Sequence, residues 1–196
     1  MNNQKERWNG VFESGREFSL LNEILLDKIL FNIPRGETAL DLGCGTGDVV
    51  VKLAKKGMRV VGIDGSPVAL EKAKSRAALA HVSERVKFVE GDLNDLQVFD
   101  LPQVDVVFCK LVIAFVEDQS VFCQEVKKLL KSGGVFVLMT PVLHEKYEYT
   151  PEDKPGIAAS YEKMKEILSE VFQSVEEVNH SYREERRDLV TWIARK

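Results

Sequence analysis

Cysteine is scarce in this chain. Cys44, Cys109 and Cys123 are the only three, they lie far apart, and no CxxC or CxH spacing joins them. That argues against a disulfide framework and a thiolate zinc site, and it fits a reducing, cytoplasmic setting with no metal. Long apolar runs are also missing, since nowhere do about eighteen uncharged apolar residues follow one another. The opening "MNNQKERWNG" lacks the apolar core of a signal peptide, so neither export by that route nor membrane spanning is expected. Neither sign of charge is in large excess: 27 Lys and Arg stand against 31 Asp and Glu, a formal net of -4. So balanced a surface does not suit a general nucleic-acid or anionic-membrane binder, and it favours a small-molecule partner. Repeats, low-complexity tracts and domain linkers are absent as well.

What is present is 44% apolar content in 196 residues, enough for one substantial core and hence one domain over residues 1–196. Leu20, Leu21, Ile24, Leu25, Leu26, Ile29 and Leu30 recur at helical spacing and predict an amphipathic entry helix over 17–31, ended by Pro34 and Gly36. "TALDL" reads as a buried strand, "DVVVKLAKKG" as a helix closed by Gly57, and "RVVGID" as a second strand. Ser66 and Pro67 are a good N-cap and first helical residue for "PVALEKAKSRAALA", and "RVKFVEGD" is a third strand. "VDVVFCK" is a fourth. Asp118 then caps a helix expected to turn Val121, Phe122, Val126, Leu129 and Leu130 inward, and "KSGG" leads into the fifth strand, "VFVLMT". Strands alternating with helices predict an α/β fold, a doubly wound parallel sheet with helices on both faces.

After Pro141 the pattern loosens through "PVLHEKYEYTPEDKPG", so 141–159 is a candidate lid or substrate wall. A helix over about 160–172 restores order. "SVEEVNHSYREERRDLVTWIARK" reads as two strands whose connecting turn is too short for a crossover, so they should pair antiparallel. The "REERRD" run within it is a solvated turn.

The most informative stretch is "ALDLGCGTGD". Its glycines let the main chain approach a ligand where open α/β sheets bind them, beyond the carboxyl ends of the strands, although tight strand-to-helix turns also use glycine with no ligand. Carboxylates at Asp41 and Asp48 oppose a pyrophosphate, and they suit a ligand with an ammonium or other cationic centre. Asp64, at the end of the second strand, stands at the distance from the glycines at which dinucleotide folds place a ribose-binding acid. Asp92, in "VEGDL", is placed to accept from an exocyclic amine such as that of adenine. A cationic head, a ribose and an adenine describe one cofactor, S-adenosyl-L-methionine.

From about residue 36 to 196 the chain resembles the class I S-adenosylmethionine-dependent methyltransferases. "ALDLGCGTGD", "VVGIDGSPVALEKAK", "FVEGDLNDL", "VDVVFCKLVIAFVED" and "LLKSGGVFVLMTP" match the family's motifs in order. The resemblance implies a seven-stranded, mostly parallel sheet with an antiparallel terminal hairpin, and residues 1–35 as N-terminal cap helices. It also implies that Gly43, Cys44 and Gly45 line the methionine part through backbone atoms, with Asp41 ordering the turn. Asp64 would hold the ribose hydroxyls, Asp92 and Leu93 would contact adenine, and the backbone at Lys110 would face the methionine end. Methyl transfer in this family is an in-line displacement in which positioning and desolvation can supply much of the rate, so a dedicated base is not required.

The fourth-strand segment lacks the Asn-Pro-Pro-aromatic motif of nucleic-acid amino-methyltransferases, which with the acidic balance disfavours nucleic-acid acceptors. It also has "IAF" where many small-molecule enzymes carry a histidine pair. His144 is a candidate proton acceptor or a solvated loop histidine. Tyr147 and Tyr149 could stack on an acceptor or merely pack the loop. His81 and His180 read as structural or exposed. Trp8, Phe12 and Arg16 recur every four residues, so a helix would set them on one face, either closing over the cofactor or packing on the sheet. Cys44 is read as small rather than reactive, and Cys109 and Cys123 as core. Two rivals remain. One is a nicotinamide-dependent dehydrogenase, whose glycine spacing would be GxGxxG rather than the GxGxG seen here. The other is a non-catalytic cofactor-binding or protein-interaction module of the same fold.

Overall fold

The computed structural model describes residues 2–16, 18, 23–31, 37–145, 158–180 and 188–196. These fall into two compact units, Met1–Asp95 and Leu96–Lys196.

In the first unit, helices α1 (Asn2–Glu13) and α2 (Glu23–Phe31) precede an alternation of strands and helices. These are β1 (Thr38–Leu42), α3 (Asp48–Lys55), β2 (Arg59–Asp64), α4 (Pro67–Leu79) and β3 (Val86–Glu90). The strands are parallel in the order β3-β2-β1, with Asp41 opposite Gly62 and Asp64 opposite Glu90. β1 forms because "TALDL" offers apolar side chains to both faces, and Leu40 and Leu42 are fully buried. α3 buries Val49, Val50, Leu53 and Ala54, and it ends at Gly57, whose φ of +93° continues the turn after the cap. Ser66 caps α4 as expected, its Oγ accepting from the amide of Ala69 at 3.2 Å with Pro67 at the first helical position.

One expectation for this unit needs correction. α1 stops at Glu13 and Gly15 takes a left-handed φ of +81°, so Arg16 lies beyond the helix that carries Trp8 and Phe12. α2 spans Glu23–Phe31 within the expected entry helix; residues 17, 19–22 and 32–36, where its expected start and its stop at Pro34 and Gly36 fall, lie outside the described residues.

The second unit comprises β4 (Val104–Lys110), α5 (Gln119–Leu129), β5 (Leu130–Leu143), β6 (Ala159–Ser160), α6 (Tyr161–Val171), β7 (Ser174–His180) and β8 (Asp188–Arg195). Its order is β4-β5-β8-β7, with the two-residue β6 beside β5. β4 and β5 are parallel, whereas β5 with β8 and β7 with β8 are antiparallel, so the terminal hairpin is as expected. The two-residue β6 was not foreseen. Phe136 of β5 stacks on Phe172 at 5.7 Å, and Trp192 of β8 is fully buried.

Asp118 caps α5 by accepting from the amides of Ser120 and Val121, both at 3.0 Å. Val121 itself is 50% exposed, contrary to expectation. The buried stripe runs through Phe122, Cys123 and Val126, and one residue earlier is about 100° round the helix from Phe122. The "KSGG" stretch is absorbed as an irregularity inside β5: pairing steps from Val104 with Leu130 to Val106 with Val135. β5 also runs past Pro141 to Leu143, because its far end still pairs with β8 and β6. Residues 146–157 and 181–187 lie outside the described residues. With them go Tyr147, Tyr149, most of the 141–159 segment and nearly all of the "REERRD" turn.

Candidate functional site

The turn after β1 is built by its own amides. Gly43 and Cys44 both donate to the carbonyl of Ile63, at 2.8 and 3.0 Å, and Gly47 donates to the carbonyl of Cys44 at 2.9 Å. Gly45 donates to Oδ2 of Asp64 at 2.8 Å. A phosphate cradle needs such N–H groups pointing outward, so four amides committed to the chain make this turn a poor anion site. Asp41, at the end of β1, is buried with 1% of its surface exposed.

Gly45 and Gly62 need to be glycine for different reasons. Gly45 has φ +51° and would carry a Cβ 3.4 Å from the ring of Phe12. Gly62, in mid-β2, is a matter of space. A Cβ there would stand 2.9 Å from Sγ of Cys44 and 3.0 Å from Cγ2 of Val50, so β2 approaches the turn and α3 only because this residue has no side chain.

Asp64 is held by both oxygens: Oδ2 takes the Gly45 amide and Oδ1 takes the Ser66 amide at 2.8 Å. Burial pushes its carboxyl above the usual range, and the two amide bonds only partly offset that. Cys44 is pushed up well above an ordinary thiol, first by burial and then by the charges of Asp41 and Asp64. It is a neutral, buried thiol rather than a nucleophile.

The turn after β3 is tied to the same place, the amide of Gly91 donating to the carbonyl of Asp64 at 3.1 Å. Asp92 uses Oδ1 to accept from the amide and the side-chain Nδ2 of Asn94, both at 2.9 Å, an arrangement that sets the turn. Leu93 follows it, half-buried. The structure therefore brings Gly43, Cys44, Gly45, Asp64, Asp92 and Leu93 together at the carboxyl ends of three adjacent strands. Asp48 opens α3. It pairs with Lys52 at 3.0 Å and faces Arg76 at 3.8 Å, so its charge is compensated locally and contributes little against an anion.

Three residues of the N-terminal helix meet this edge. The ring of Phe12 lies over Gly45, with 6% of the residue exposed. Oδ1 of Asn9 accepts from Oγ of Ser66 at 2.6 Å, and Lys72 of α4 donates to the carbonyl of Phe12. Lys5 pairs with Glu90 at the end of β3. The sequence does not single out Asn9 or Lys72, nor Ser66 as part of a site. Only Ser66 carried a signal, and that signal was for a helix cap.

In the second unit, Lys110 is the last residue of β4 and half-buried, and Leu111 follows it with φ +63°. His144 follows β5 with 12% of its side chain exposed; its Nδ1 is 3.6 Å from Oε1 of Glu162 and its ring 4.5 Å from that of Tyr161. It is thus not a solvated loop histidine. Burial opposes ionisation of Glu162, but the amide of Glu145 and the nearby His144 outweigh it and hold the carboxyl below the usual range. Tyr161 is pushed up to about 12 by burial and by its hydrogen bond to Glu177, whose Oε2 also accepts from Nε1 of Trp192 at 3.3 Å. His81 is exposed at φ +57° after α4, and the side chain of His180 lies outside the described residues. Cys109 and Cys123 are buried, as expected, and form no disulfide. Among the described residues no three His, Cys, Asp or Glu side chains are grouped to hold a metal, and no helix is long and apolar enough to cross a membrane.

A family model described as a methyltransferase domain matches residues 33–191. The carboxy-S-adenosyl-L-methionine synthase of Wolinella succinogenes is 30% identical over 152 residues, covering 71% of this chain and 61% of that protein. The mitochondrial ubiquinone biosynthesis O-methyltransferase of Schizosaccharomyces pombe is 34% identical over 140 residues, 68% of this chain and 49% of the relative. The chain thus spans between half and three fifths of the length of these curated relatives. Among solved structures, an S-adenosylmethionine-dependent methyltransferase of Geobacter sulfurreducens in complex with S-adenosyl-L-homocysteine superposes with a TM-score of 0.70. It has 22% identity and covers 89% of this chain and 74% of that one, which establishes a shared fold.

Proposed function

The chain belongs to the methyltransferase domain family, in its class I, S-adenosylmethionine-dependent branch, and from that membership we propose that it transfers a methyl group from S-adenosyl-L-methionine to a small-molecule acceptor. The observation that carries the reading is the commitment of the Gly43, Cys44, Gly45 and Gly47 amides to acceptors within the chain, beside the carboxylates of Asp41 and Asp64. Such an edge repels a pyrophosphate and receives a cationic ligand, which speaks against the dehydrogenase rival.

In this reading Gly43, Cys44 and Gly45 give the methionine part a surface without bulky side chains, and Asp41 supplies negative charge behind it. Asp64, oriented by two amides, accepts from the ribose hydroxyls. Asp92, fixed by Asn94, accepts from the adenine amine, with Leu93 beside the ring. The role of the Lys110 main chain rests on the resemblance alone. The cofactor supplies a sulfonium-bound methyl group for in-line displacement, and the protein's share is binding, orientation and exclusion of water. No step of this needs a base; His144 is the residue to test for one.

The family match spans both units, which supports reading residues 1–196 as one domain. Three buried cysteines that form no disulfide support a reducing, cytoplasmic setting. Calorimetry with S-adenosylmethionine and with NAD tests the cofactor, and NAD binding alone would overturn it. Transfer of labelled methyl into a metabolite pool tests the activity. Cofactor binding with no acceptor labelled across broad chemical classes would favour the non-catalytic module instead.

A further inference from the structure

Ser66 is a junction. Its Oγ accepts from the amide of Ala69 at 3.2 Å and donates to Oδ1 of Asn9 at 2.6 Å, while its own amide donates to Oδ1 of Asp64 at 2.8 Å. The residue is buried, with 1% of its surface exposed. A hydroxyl has one proton to give. With that proton directed at Asn9, an oxygen lone pair is left for Ala69, so the contact across from α1 fixes the rotor that caps α4. The same residue supplies one of the two amides that orient the carboxylate of Asp64.

We propose that Asn9 is a positioning residue for cofactor recognition: through Ser66 it holds the carboxylate of Asp64 in the orientation that receives the ribose hydroxyls, and it couples docking of α1 to cofactor binding. This rests on the reading of Asp64 as the ribose-binding acid. Removing the Asn9 acceptor leaves a buried hydroxyl donor unmatched, and the strain falls on the segment from Asp64 to Ser66. Burial of Asp64 makes it sensitive to any loosening of an amide donor, because those donors favour its charged form. Phe12 over Gly45 and Lys72 on the Phe12 carbonyl keep Asn9 in reach, so the contact belongs to a docked helix rather than to a lone side chain. By linkage, a ligand that engages Asp64 must strengthen the docking of α1 by the factor that docking strengthens the ligand.

A double-mutant cycle on the full chain tests this, with affinity for S-adenosylhomocysteine measured by calorimetry. Asn9→Ala should weaken binding about tenfold and Asp64→Ala about a hundredfold, and the double variant should be no weaker than Asp64→Ala alone, because the first change acts through the second residue. A purely structural Asn9 would lower stability with affinity unchanged, or its effect would multiply with that of Asp64→Ala, and either result overturns the proposal. A wild-type chain that binds no S-adenosylhomocysteine overturns the functional reading as well, so the two failures are distinguishable. A second measurement needs no variant. Amide exchange in residues 2–13 should slow with 5′-methylthioadenosine, which carries the ribose hydroxyls, and not with adenine; equal exchange with both would overturn the coupling.

Discussion

The amide of Gly45 donates to Oδ2 of Asp64 at 2.8 Å, so the turn after β1 is fastened to the acid that ends β2. In the proposed reading one carboxylate has two tasks, shaping the turn and receiving the ribose hydroxyls.

Replacing Asp64 by alanine should weaken cofactor binding about a hundredfold, since charge-assisted contacts to both ribose hydroxyls are lost. It should also cost about 1–3 kcal/mol of stability, because the amides of Gly45 and Ser66 lose their acceptor. Calorimetry and urea unfolding read the two effects separately. Unchanged affinity would remove Asp64 from the site.

The raised carboxyl of Asp64 gives affinity and stability opposite responses to pH. Its folded-state value lies above the unfolded one, so its contribution to stability is fully present below the ordinary carboxylate range. That contribution is lost as pH rises through the raised value. In the proposed role the ribose hydroxyls need the charged form, so affinity should fall as pH is lowered through the same value. Titrations of wild type and Asp64→Ala across the acidic range should show the affinity loss in wild type and a flatter profile in the variant.

Gly62→Ala should destabilise the protein by about 1–3 kcal/mol, because the new methyl meets Sγ of Cys44 and Cγ2 of Val50 within a tight core. Adding Cys44→Ala should restore part of the loss by removing the sulfur. Urea midpoints for the single and double variants check this, and no rescue would place the strain elsewhere.

Glu177→Ala should cost about 2–4 kcal/mol, because Tyr161 and Trp192 both donate to its Oε2 and lose their acceptor together. Tyr161→Phe should cost only about 1 kcal/mol, since Trp192 still satisfies the carboxylate. Equal losses would show that Glu177 serves Tyr161 alone.

Much of this was legible in the chain because local chemistry specifies it. Caps at Ser66 and Asp118, the β1 turn glycines and the acids ending β2 and following β3 each announce a backbone geometry over a few residues. Contacts between distant segments leave no such mark. Asn9 and Ser66 are separated by 57 positions, and neither residue type suggests the other. Gly62 looked like an ordinary strand residue, since its need for empty space comes from Cys44 and Val50 across the sheet. Val121 was misread for a different reason: an apolar residue beside a buried stripe looks like part of it until the phase of the helix is fixed. His144 gained its partner from α6, which periodicity could place in the chain but not against β5.

The antiparallel pairing of β5 with β8 also bears on how the chain is made. β4 and α5 leave the ribosome before β5, but the strand that covers its other long edge, Asp188–Arg195, is made only after α6 and β7. Until then that edge of β5 is an open hydrogen-bonding template, with Val135, Phe136, Val137 and Leu138 exposed to whatever else can pair with it. β1, β2 and β3, by contrast, pair with one another in the order of their synthesis. Nascent chains stalled before residue 188 should therefore carry a sticky second half, the part a chaperone would hold.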